Sequence, residues 1–270
     1  MRKIMEIQVS LKTVLKRLRL SGLLLTLEDR SAYAKKAGLS YPEFLELMLQ
    51  DEIDRRDQVG LQVRLSRAQF EEEQTFEHFD WNAPVTFDRD RVRDLFGLGF
   101  LDRKEDVIFM GPAGVGKTFL ASALGHAACR AGKHVLFVRA DTMLRQLHQS
   151  RADNSTEKVL RGFLALDLLI VDDFGLRKLT PTGSSDLYEV LIGRHRRAST
   201  VVTSNRTVDE WVPLFDDPLL AQSALDRLAH NAHQVVMEGD SYRKRQGPAG
   251  ANKPQPERTK KAKRTGRGGR

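Results

Sequence analysis

The chain has 270 residues, enough for one large domain or two modest ones, and 40% of its side chains are apolar. That content suffices for a buried core and excludes a disordered protein. The longest apolar runs are far shorter than the ~20 residues that cross a bilayer, and no secretory signal is recognisable. We therefore expect no membrane association and a cytoplasmic protein. A single cysteine, Cys129, excludes an intramolecular disulfide and a cysteine-based zinc cluster.

The net charge of +8 is concentrated at the C-terminus. Residues 243–270 contain eleven Lys or Arg and one Glu, which leaves the rest of the chain at −2. The stretch is also rich in Gly and Pro, a composition typical of a disordered basic tail. Such a tail would hold phosphate backbones without reading their sequence. The alternative is a tail that only keeps the protein soluble.

The first part of the chain predicts a small helical domain. Apolar residues recur at helical spacing over residues 11–27, with bases between them, which predicts one amphipathic basic helix. Ser40 and Glu43 have the spacing of a capping box and predict the start of a second helix. Farther along that helix, Glu52 and Arg56 are placed for an ion pair on a solvated outer face.

The pattern changes after residue 78 to short aliphatic runs that alternate with helical stretches. This alternation is typical of an α/β fold, in which helices cover a parallel sheet. The five predicted strands are residues 107–110, 134–138, 168–171, 200–203 and 234–237. We therefore predict three parts: a helical N-terminal domain at residues 1–78, a five-stranded α/β domain at residues 79–243, and a disordered basic tail at residues 244–270.

A glycine-rich loop lies directly after the first predicted strand and directly before a helical stretch. Glycines let backbone N–H groups converge on phosphate oxygens, the helix N-terminus adds partial positive charge, a lysine reaches the β and γ phosphates, and a hydroxyl ligates Mg²⁺. A chance turn is the alternative, but the complete pattern favours a P-loop that binds ATP and Mg²⁺. Its residues are Gly111, Pro112, Ala113, Gly114, Val115, Gly116, Lys117 and Thr118.

Polar residues follow the third and fourth predicted strands, where hydrolysis of a bound nucleotide would need them. Asp172 is expected to hold the Mg²⁺ shell, together with Thr118, and Asp173 to orient or deprotonate the attacking water. Asn205 is expected to hydrogen-bond the water or the γ phosphate. The alternative for the two aspartates is an acidic turn at the end of the strand. The alternative for Asn205 is a turn asparagine that caps the following segment. Because the carboxyl ends of parallel strands meet at one edge of a sheet, these side chains should lie together.

Arg227 follows a helix start at Asp217 and Pro218 and precedes the last strand. It is the candidate arginine finger, a residue that stabilises negative charge on the transferring phosphoryl group. If it projects from the subunit edge, it completes a neighbour's site. A salt bridge on the surface of its own helix is the alternative, and the residues alone leave the two open.

Several motifs together resemble those of one particular family, which a P-loop alone could not identify. Besides the P-loop they are residues 18–22, 50–56, 79–80, 171–175, 203–206, 226–228 and 239–243. On these motifs the chain resembles the IstB-like helper ATPases of bacterial insertion sequences, relatives of the DnaC helicase loaders within the AAA+ class. The resemblance implies an ATP-dependent homo-oligomer that assembles on double-stranded DNA, deforms it and delivers it to a transposase. The helical domain would serve oligomerisation, partner binding or DNA binding.

The resemblance also implies roles for particular basic residues. Arg227 is similar to the finger that acts in trans, and Arg243 to a second phosphate-sensing arginine. Two helical stretches before Asp172 occupy the place of the DNA-facing helix pair of this clade, although an ordinary solvated face is the alternative. The bases on them are Arg145, Arg151, Lys158 and Arg161. A second basic cluster of Arg194, Arg196 and Arg197 is expected at a subunit interface or on DNA.

Asp173 stands where many AAA+ proteins have glutamate. Its shorter side chain leaves the base farther from the water, so slow or partner-stimulated ATP turnover is expected. The leading hypothesis is an ATPase that regulates transposition. The alternatives are a DnaC-like helicase loader on single-stranded DNA, a nucleic-acid-binding module without turnover and, last, a small-molecule kinase.

Overall fold

The computed structural model of the chain describes residues 9–241. The predicted tail at residues 244–270 and the candidate phosphate-sensing Arg243 lie outside the described residues. Among the residues that are described, no helix is both long enough and apolar enough to cross a membrane.

The α-helices and β-strands follow one another in the order expected for a helical region that leads into an α/β domain. In chain order they are α1 (Val9–Arg17), α2 (Leu23–Ala37), α3 (Tyr41–Ala68), β1 (Val85–Thr86), α4 (Arg89–Phe96), α5 (Gly99–Arg103), β2 (Asp106–Met110), α6 (Lys117–Arg130), β3 (Val135–Arg139), α7 (Ala140–Ser150), α8 (Thr156–Leu164), β4 (Leu168–Phe174), α9 (Pro181–Arg194), β5 (Ser199–Ser204), α10 (Pro218–His230), β6 (Ala232–Val236) and β7 (Glu238–Gly239).

The prediction of one helix over residues 11–27 is wrong, because the chain turns between α1 and α2. Arg19 adopts a left-handed conformation with φ 57°, and its carbonyl accepts a hydrogen bond of 2.5 Å from Nη2 of Arg56 on α3. A Cβ at Gly22 would collide with the side chains of Arg55 and Glu52. Close packing of this turn against α3 therefore overrides the helical periodicity of the sequence.

Helix α3 begins where its capping box predicts. The backbone N–H of Ser40 donates to Glu43 Oε2 at 2.7 Å, and Ser40 Oγ accepts from the N–H of Glu43. The predicted pair of Glu52 with Arg56 is confirmed at 2.8 Å, but Glu52 is not on a solvated face. Its side chain is only 3% exposed, because the turn before α2 covers it and Arg55 also donates to it at 2.8 Å.

All five predicted strands are confirmed and form one parallel sheet in the order β3-β4-β5-β2-β6. Strand β4 is longer than predicted, since it continues through both aspartates to Phe174. A second, two-stranded antiparallel sheet pairs β1 with β7 and was not predicted. With two residues in each strand, it is too short to leave a periodic pattern in the sequence.

Helices cover both faces of the parallel sheet, as predicted. Successive residues of a strand point to opposite faces, so Phe109 packs with α4, α5 and α6 while Ile108 packs with α7, α8, α9 and α10. The end of α3 joins the first of these layers, where Ala68 is fully buried. The helical region and the sheet thus share a core, and the division at residue 78 stays a prediction.

Arg194 does not belong to a surface cluster, contrary to our expectation. Its guanidinium is buried at the end of α9 and donates to the carbonyl oxygens of Phe163 at 2.6 Å and Leu166 at 3.1 Å and to Thr200 Oγ1 at 3.1 Å. Desolvation lowers its pKa to about 10. Arg194 therefore ties α8 and α9 to β5. Arg196 and Arg197 are exposed.

Candidate nucleotide-binding site

The P-loop lies where predicted, between β2 and α6 at the carboxyl edge of the parallel sheet. Three of its glycines have positive φ angles, 145° at Gly111, 85° at Gly114 and 101° at Gly116. A side chain would also have no room, because a Cβ at Gly111 would collide with the carbonyl of Met237 and one at Gly114 with Ser241. Only glycine meets both conditions at these positions, so the loop has the backbone shape that cradles phosphates.

Lys117 begins α6 and turns its ammonium group back into the loop. Its Nζ donates to the carbonyl oxygens of Gly111 and Pro112, both at 2.7 Å, and to Asn205 Oδ1 at 2.6 Å. Lys117 is only 5% exposed. The structure thus brings the predicted lysine and the predicted strand-end asparagine into direct contact although they are 88 residues apart.

Asp172 lies at the centre of a hydrogen-bonded group of side chains. Its Oδ1 accepts from Thr118 Oγ1 at 2.9 Å and from Thr203 Oγ1 at 2.6 Å. Burial raises the pKa of Asp172 above its ordinary value, although the bonds from Thr203 and Thr118 oppose this. The two residues that we predicted as metal ligands are therefore in contact, and Thr203 is a third member of the group that was not assigned a role.

Asp173 is placed differently from its neighbour. Its backbone has a φ of 55°, its N–H donates to Thr203 Oγ1 at 3.0 Å, and its Oδ2 accepts from Arg139 Nη2 at 2.9 Å. The left-handed conformation coincides with a break in the pairing of β4 with β5. Arg139 was missed by the sequence reasoning, although it ends β3, the strand beside β4, and pairs in register with Asp172.

A cleft of about 550 Å³ opens beside the P-loop and is lined by Lys117, Thr118, Asp173 and Asn205. Its other wall comes from the segment between α3 and β1 and from the first residue of β1. The residues of that wall are Glu71, Glu72, Glu73, Gln74, His78, Phe79, Asp80, Ala83 and Val85. Phe70 fixes the start of this segment by stacking on His126 of α6 with ring centroids 4.1 Å apart. Of this wall, only the pair Phe79 and Asp80 had been noticed in the sequence.

The donor atoms in the cleft suit a magnesium nucleotide better than a metal held by protein alone. Within residues 9–241 there is no group of three or more His, Cys, Asp or Glu side chains that could hold a metal ion. A hydroxyl and a carboxylate, Thr118 and Asp172, do lie together. Mg²⁺ typically takes one or two protein oxygens and fills its other positions with water and substrate phosphates, and these residues fit that arrangement.

Arg227 is exposed in the last turn of α10 and is not among the described residues that line the cleft of its own chain. His195 lies close to Arg227. Burial lowers the pKa of His195, and the nearby charges of Arg196, Arg227 and His230 lower it further. The structure thus places Arg227 in a basic surface region and not among the described residues that line the nucleotide cleft.

The four candidate DNA contacts lie on or beside the predicted helix pair, now α7 and α8. Arg145 pairs with Asp141 at 3.3 Å and Arg161 with Glu157 at 3.7 Å, both pairs exposed, and Lys158 is also exposed. Arg151 differs, since it pairs with Asp186 of α9, whose side chain is only 1% exposed. Arg151 therefore neutralises a buried carboxylate, whereas the other three present their charge to solvent.

Sequence comparison identifies a family for this chain. The family model described as IstB-like ATP binding protein matches residues 13–249. An insertion-sequence ATP-binding protein of Mycobacterium tuberculosis is 42% identical over 88% of this chain and 96% of its own length. The ATP-binding protein of insertion sequence IS21 from Pseudomonas aeruginosa is 37% identical over 86% of this chain and 88% of its own length.

Solved structures agree on the fold. DnaI superimposes with a TM-score of 0.52 at 19% identity, covering 62% of this chain and 92% of that one. The replication initiator DnaA, bound to AMPPCP and single-stranded DNA, gives a TM-score of 0.54 at 18% identity over 64% of this chain and 52% of its own. At such identities these likenesses show the AAA+ fold alone. With the family match over most of its length, the chain belongs to the IstB-like ATP-binding proteins.

Proposed function

We propose that this protein is an ATP-dependent transposition helper. It binds ATP with Mg²⁺, forms a homo-oligomer on double-stranded DNA, deforms that DNA and recruits or stimulates a partner transposase. The observation that carries the proposal is the convergence of Lys117, Asn205, Thr118 and Asp172 on one P-loop. The origin of its relatives in insertion sequences supports the transposition context.

Each residue of the cleft has a distinct part in nucleotide binding. The backbone of the P-loop holds the phosphates, and Lys117 reaches the β and γ phosphates. Thr118 and Asp172 would hold Mg²⁺, which when bound neutralises charge on the phosphates. Lys117 now donates to Asn205, so a γ phosphate would compete for the lysine and leave the amide of Asn205 available for the phosphate or the water.

Hydrolysis needs a base at the γ phosphate, and the proposal gives this part to Asp173, which lines the cleft. A water oxygen attacks the γ phosphorus, the bond from that phosphorus to the β–γ bridging oxygen breaks, and Asp173 takes the proton of the water. The products are ADP and inorganic phosphate. In the structure Asp173 Oδ2 is 2.9 Å from Arg139 Nη2, so the carboxylate that would take the proton is engaged in an ion pair. We therefore expect slow turnover that DNA or a partner stimulates.

The position of Arg227 supports the proposed oligomer. This residue is exposed at the end of α10 and does not line its own cleft in the described chain. It is therefore suited to a phosphate held by a neighbouring subunit, where a trans-acting arginine stabilises the charge of the transition state. ATP would then hold neighbouring subunits together and would be hydrolysed at the contact between them.

For the DNA surface we propose the exposed face of α7 and α8, with Arg145, Lys158 and Arg161 as phosphate contacts. Arg151 is left out of this set, because its ion pair with the buried Asp186 gives it a structural role. When flexible Arg and Lys side chains contact DNA phosphates, the affinity falls steeply with salt concentration and depends little on the DNA sequence. The C-terminal basic segment would add to this salt-dependent affinity for DNA phosphates.

The test is fluorescence anisotropy of a labelled duplex of about 50 base pairs and of the matching single strand, with and without ATP and Mg²⁺. We expect the wild type to bind the duplex more tightly than the single strand, and only when ATP is present. We expect Lys117→Ala to bind the duplex weakly both with and without ATP. Preference for the single strand would favour a helicase loader instead. Tight duplex binding by Lys117→Ala would favour a nucleic-acid-binding module.

A further inference from the structure

The hydroxyl of Thr203 joins the two aspartates at the end of β4. Thr203 lies on β5 and is fully buried. Its Oγ1 donates a hydrogen bond to Asp172 Oδ1 at 2.6 Å and accepts one from the backbone N–H of Asp173 at 3.0 Å. A hydroxyl has a single proton to donate, so the bond to Asp172 uses that proton and fixes the direction in which the hydroxyl points.

An irregularity in the sheet explains why Asp173 bonds to a side chain. From the pair at Val171 to the next pair at Phe174, β4 advances three residues while β5 advances only two. The extra residue on one strand makes this a β-bulge. Asp173 lies inside the bulge with a φ of 55°, and its N–H bonds Thr203 Oγ1. Thr203 thus satisfies a backbone donor at the break in strand pairing.

The bulge gives the two neighbouring carboxylates different surroundings. Asp172 is buried and contacts Thr118 at the start of α6. The side chain of Asp173 is partly exposed and lines the nucleotide cleft. Bulges often redirect a side chain next to a functional site. Because Thr203 bonds both aspartates, its hydroxyl can hold this arrangement in place.

The orientation of the Asp172 carboxylate depends on two hydroxyl groups. Thr118 Oγ1, at 2.9 Å, and Thr203 Oγ1, at 2.6 Å, both donate to the same oxygen, Oδ1. A carboxylate has a second oxygen with lone pairs of its own. Two bonds to Oδ1 from different elements, α6 and β5, fix the plane of the carboxylate and so the direction of Oδ2.

We propose that Thr203 is a positioning residue for the magnesium nucleotide, and that its hydroxyl holds Asp172 so that Oδ2 faces the metal. The inference rests on the proposed function and adds to it a residue that acts through Asp172. Thr203 is not among the described residues that line the cleft, so it would not touch the nucleotide. Groups that hydrogen-bond a metal ligand orient that ligand, and their loss typically weakens metal binding.

A purely structural role for Thr203 makes a different prediction from a positioning role. Loss of a buried hydrogen bond that only supports the fold would lower stability and would affect ATP binding equally with and without Mg²⁺. Loss of a group that orients the metal ligand would affect ATP binding only when Mg²⁺ is present. The dependence of ATP affinity on Mg²⁺ therefore separates the two roles.

The experiment is calorimetric titration of the full-length protein with ATP, in Mg²⁺ and in EDTA. We expect the wild type to bind ATP more tightly in Mg²⁺. Thr203→Val keeps the size of the side chain and removes the hydroxyl, so it should weaken binding in Mg²⁺ by at least about tenfold and leave binding in EDTA unchanged. Thr203→Ser keeps the hydroxyl and should bind as the wild type does in both conditions.

The matched control is Ser199→Ala, at the other end of β5. The hydroxyl of Ser199 is also fully buried and donates to the carbonyl oxygen of Phe100 at 3.3 Å. This variant should lower the free energy of unfolding in urea without changing the dependence of ATP affinity on Mg²⁺. If Thr203→Val does not fold, Thr203→Cys takes its place, because a thiol is of similar size and only a weak donor. The same selective loss is expected of it.

Three results would overturn the inference. One is a Thr203→Val protein that binds ATP in Mg²⁺ as tightly as the wild type does. Another is an equal loss of affinity in Mg²⁺ and in EDTA, which would assign Thr203 to the fold. The third is a loss in Thr203→Ser as large as that in Thr203→Val, which would assign the effect to packing of the methyl group. In each case a wild type that binds ATP more tightly in Mg²⁺ leaves the proposed function standing. A wild type without this Mg²⁺ dependence would instead remove the metal role of Asp172 from the proposed function, together with this inference.

Discussion

The ammonium group of Lys117 and the amide oxygen of Asn205 are 2.6 Å apart. This bond joins the lysine that follows the phosphate loop to the residue that follows β5. A bound triphosphate would compete with Asn205 for the lysine. We therefore expect this contact to separate when ATP binds.

Asn205→Ala should lower ATP turnover by about 100-fold, because it removes one polar contact to the reacting phosphate or water. ATP affinity should change by less than about threefold, since the P-loop backbone supplies most of the binding. Steady-state turnover and equilibrium binding of a fluorescent ATP analogue separate the two effects. Asn82→Ala, at an exposed asparagine, is the control. Equal loss of binding and turnover would assign Asn205 to nucleotide binding alone.

Asp172→Asn should weaken ATP binding in the presence of Mg²⁺ and leave the weaker binding in EDTA almost unchanged. The amide can still accept from Thr118 and Thr203, but it lacks the negative charge that a hard cation prefers. Calorimetric titrations with and without Mg²⁺ check this. A variant that loses affinity equally in both conditions would show that Asp172 shapes the loop and does not act on the metal.

Glu52→Gln should lower the free energy of unfolding by roughly 1–3 kcal/mol at neutral pH, because it weakens the bonds from Arg55 and Arg56 to a buried group. Hydrogen bonds from Arg55 lower the pKa of Glu52 to about 2, with burial opposing them and Arg56 adding to them. The stabilisation is therefore present above the ordinary glutamate pKa of 4.5 and is lost as the pH falls from there through 2.

Urea unfolding of wild type and Glu52→Gln at pH 7 and pH 3 measures this difference. Glu46→Gln, at an exposed position of the same helix, is the matched control and should cost little at either pH. An unchanged difference between pH 7 and pH 3 would contradict the role of the Glu52 charge.

The parts of the fold that were predictable from the sequence depend on local patterns. The five strands show as aliphatic runs, and the P-loop shows as a contiguous motif from Gly111 to Thr118. The contact of Thr118 with Asp172 follows from the rule that parallel strand ends meet at one edge. Ser40 and Glu43 interact within one helical turn, so their spacing alone predicts their bond.

Other features depend on tertiary contacts that no local pattern records. Arg194 lies next to two exposed arginines in sequence, yet carbonyl groups from α8 bury it. Gly22 interrupts a helical pattern because α3 leaves no space for a side chain. Arg139 reaches Asp173 only because β3 is the neighbour of β4 in the sheet order. Each of these needs the positions of elements that are distant in the chain.

The central claim is that ATP assembles this protein on duplex DNA through a trans-acting arginine. The most direct measurement is the mass in solution, by light scattering, of wild type and Arg227→Ala with ATP and Mg²⁺, with and without a duplex of about 50 base pairs. Arg89→Ala, at an exposed arginine of α4, is the control. We expect the wild type and the control to form a large complex only with ATP and duplex, and Arg227→Ala to form none. A wild type that stays monomeric under these conditions, or an Arg227→Ala complex of full size, would contradict the claim.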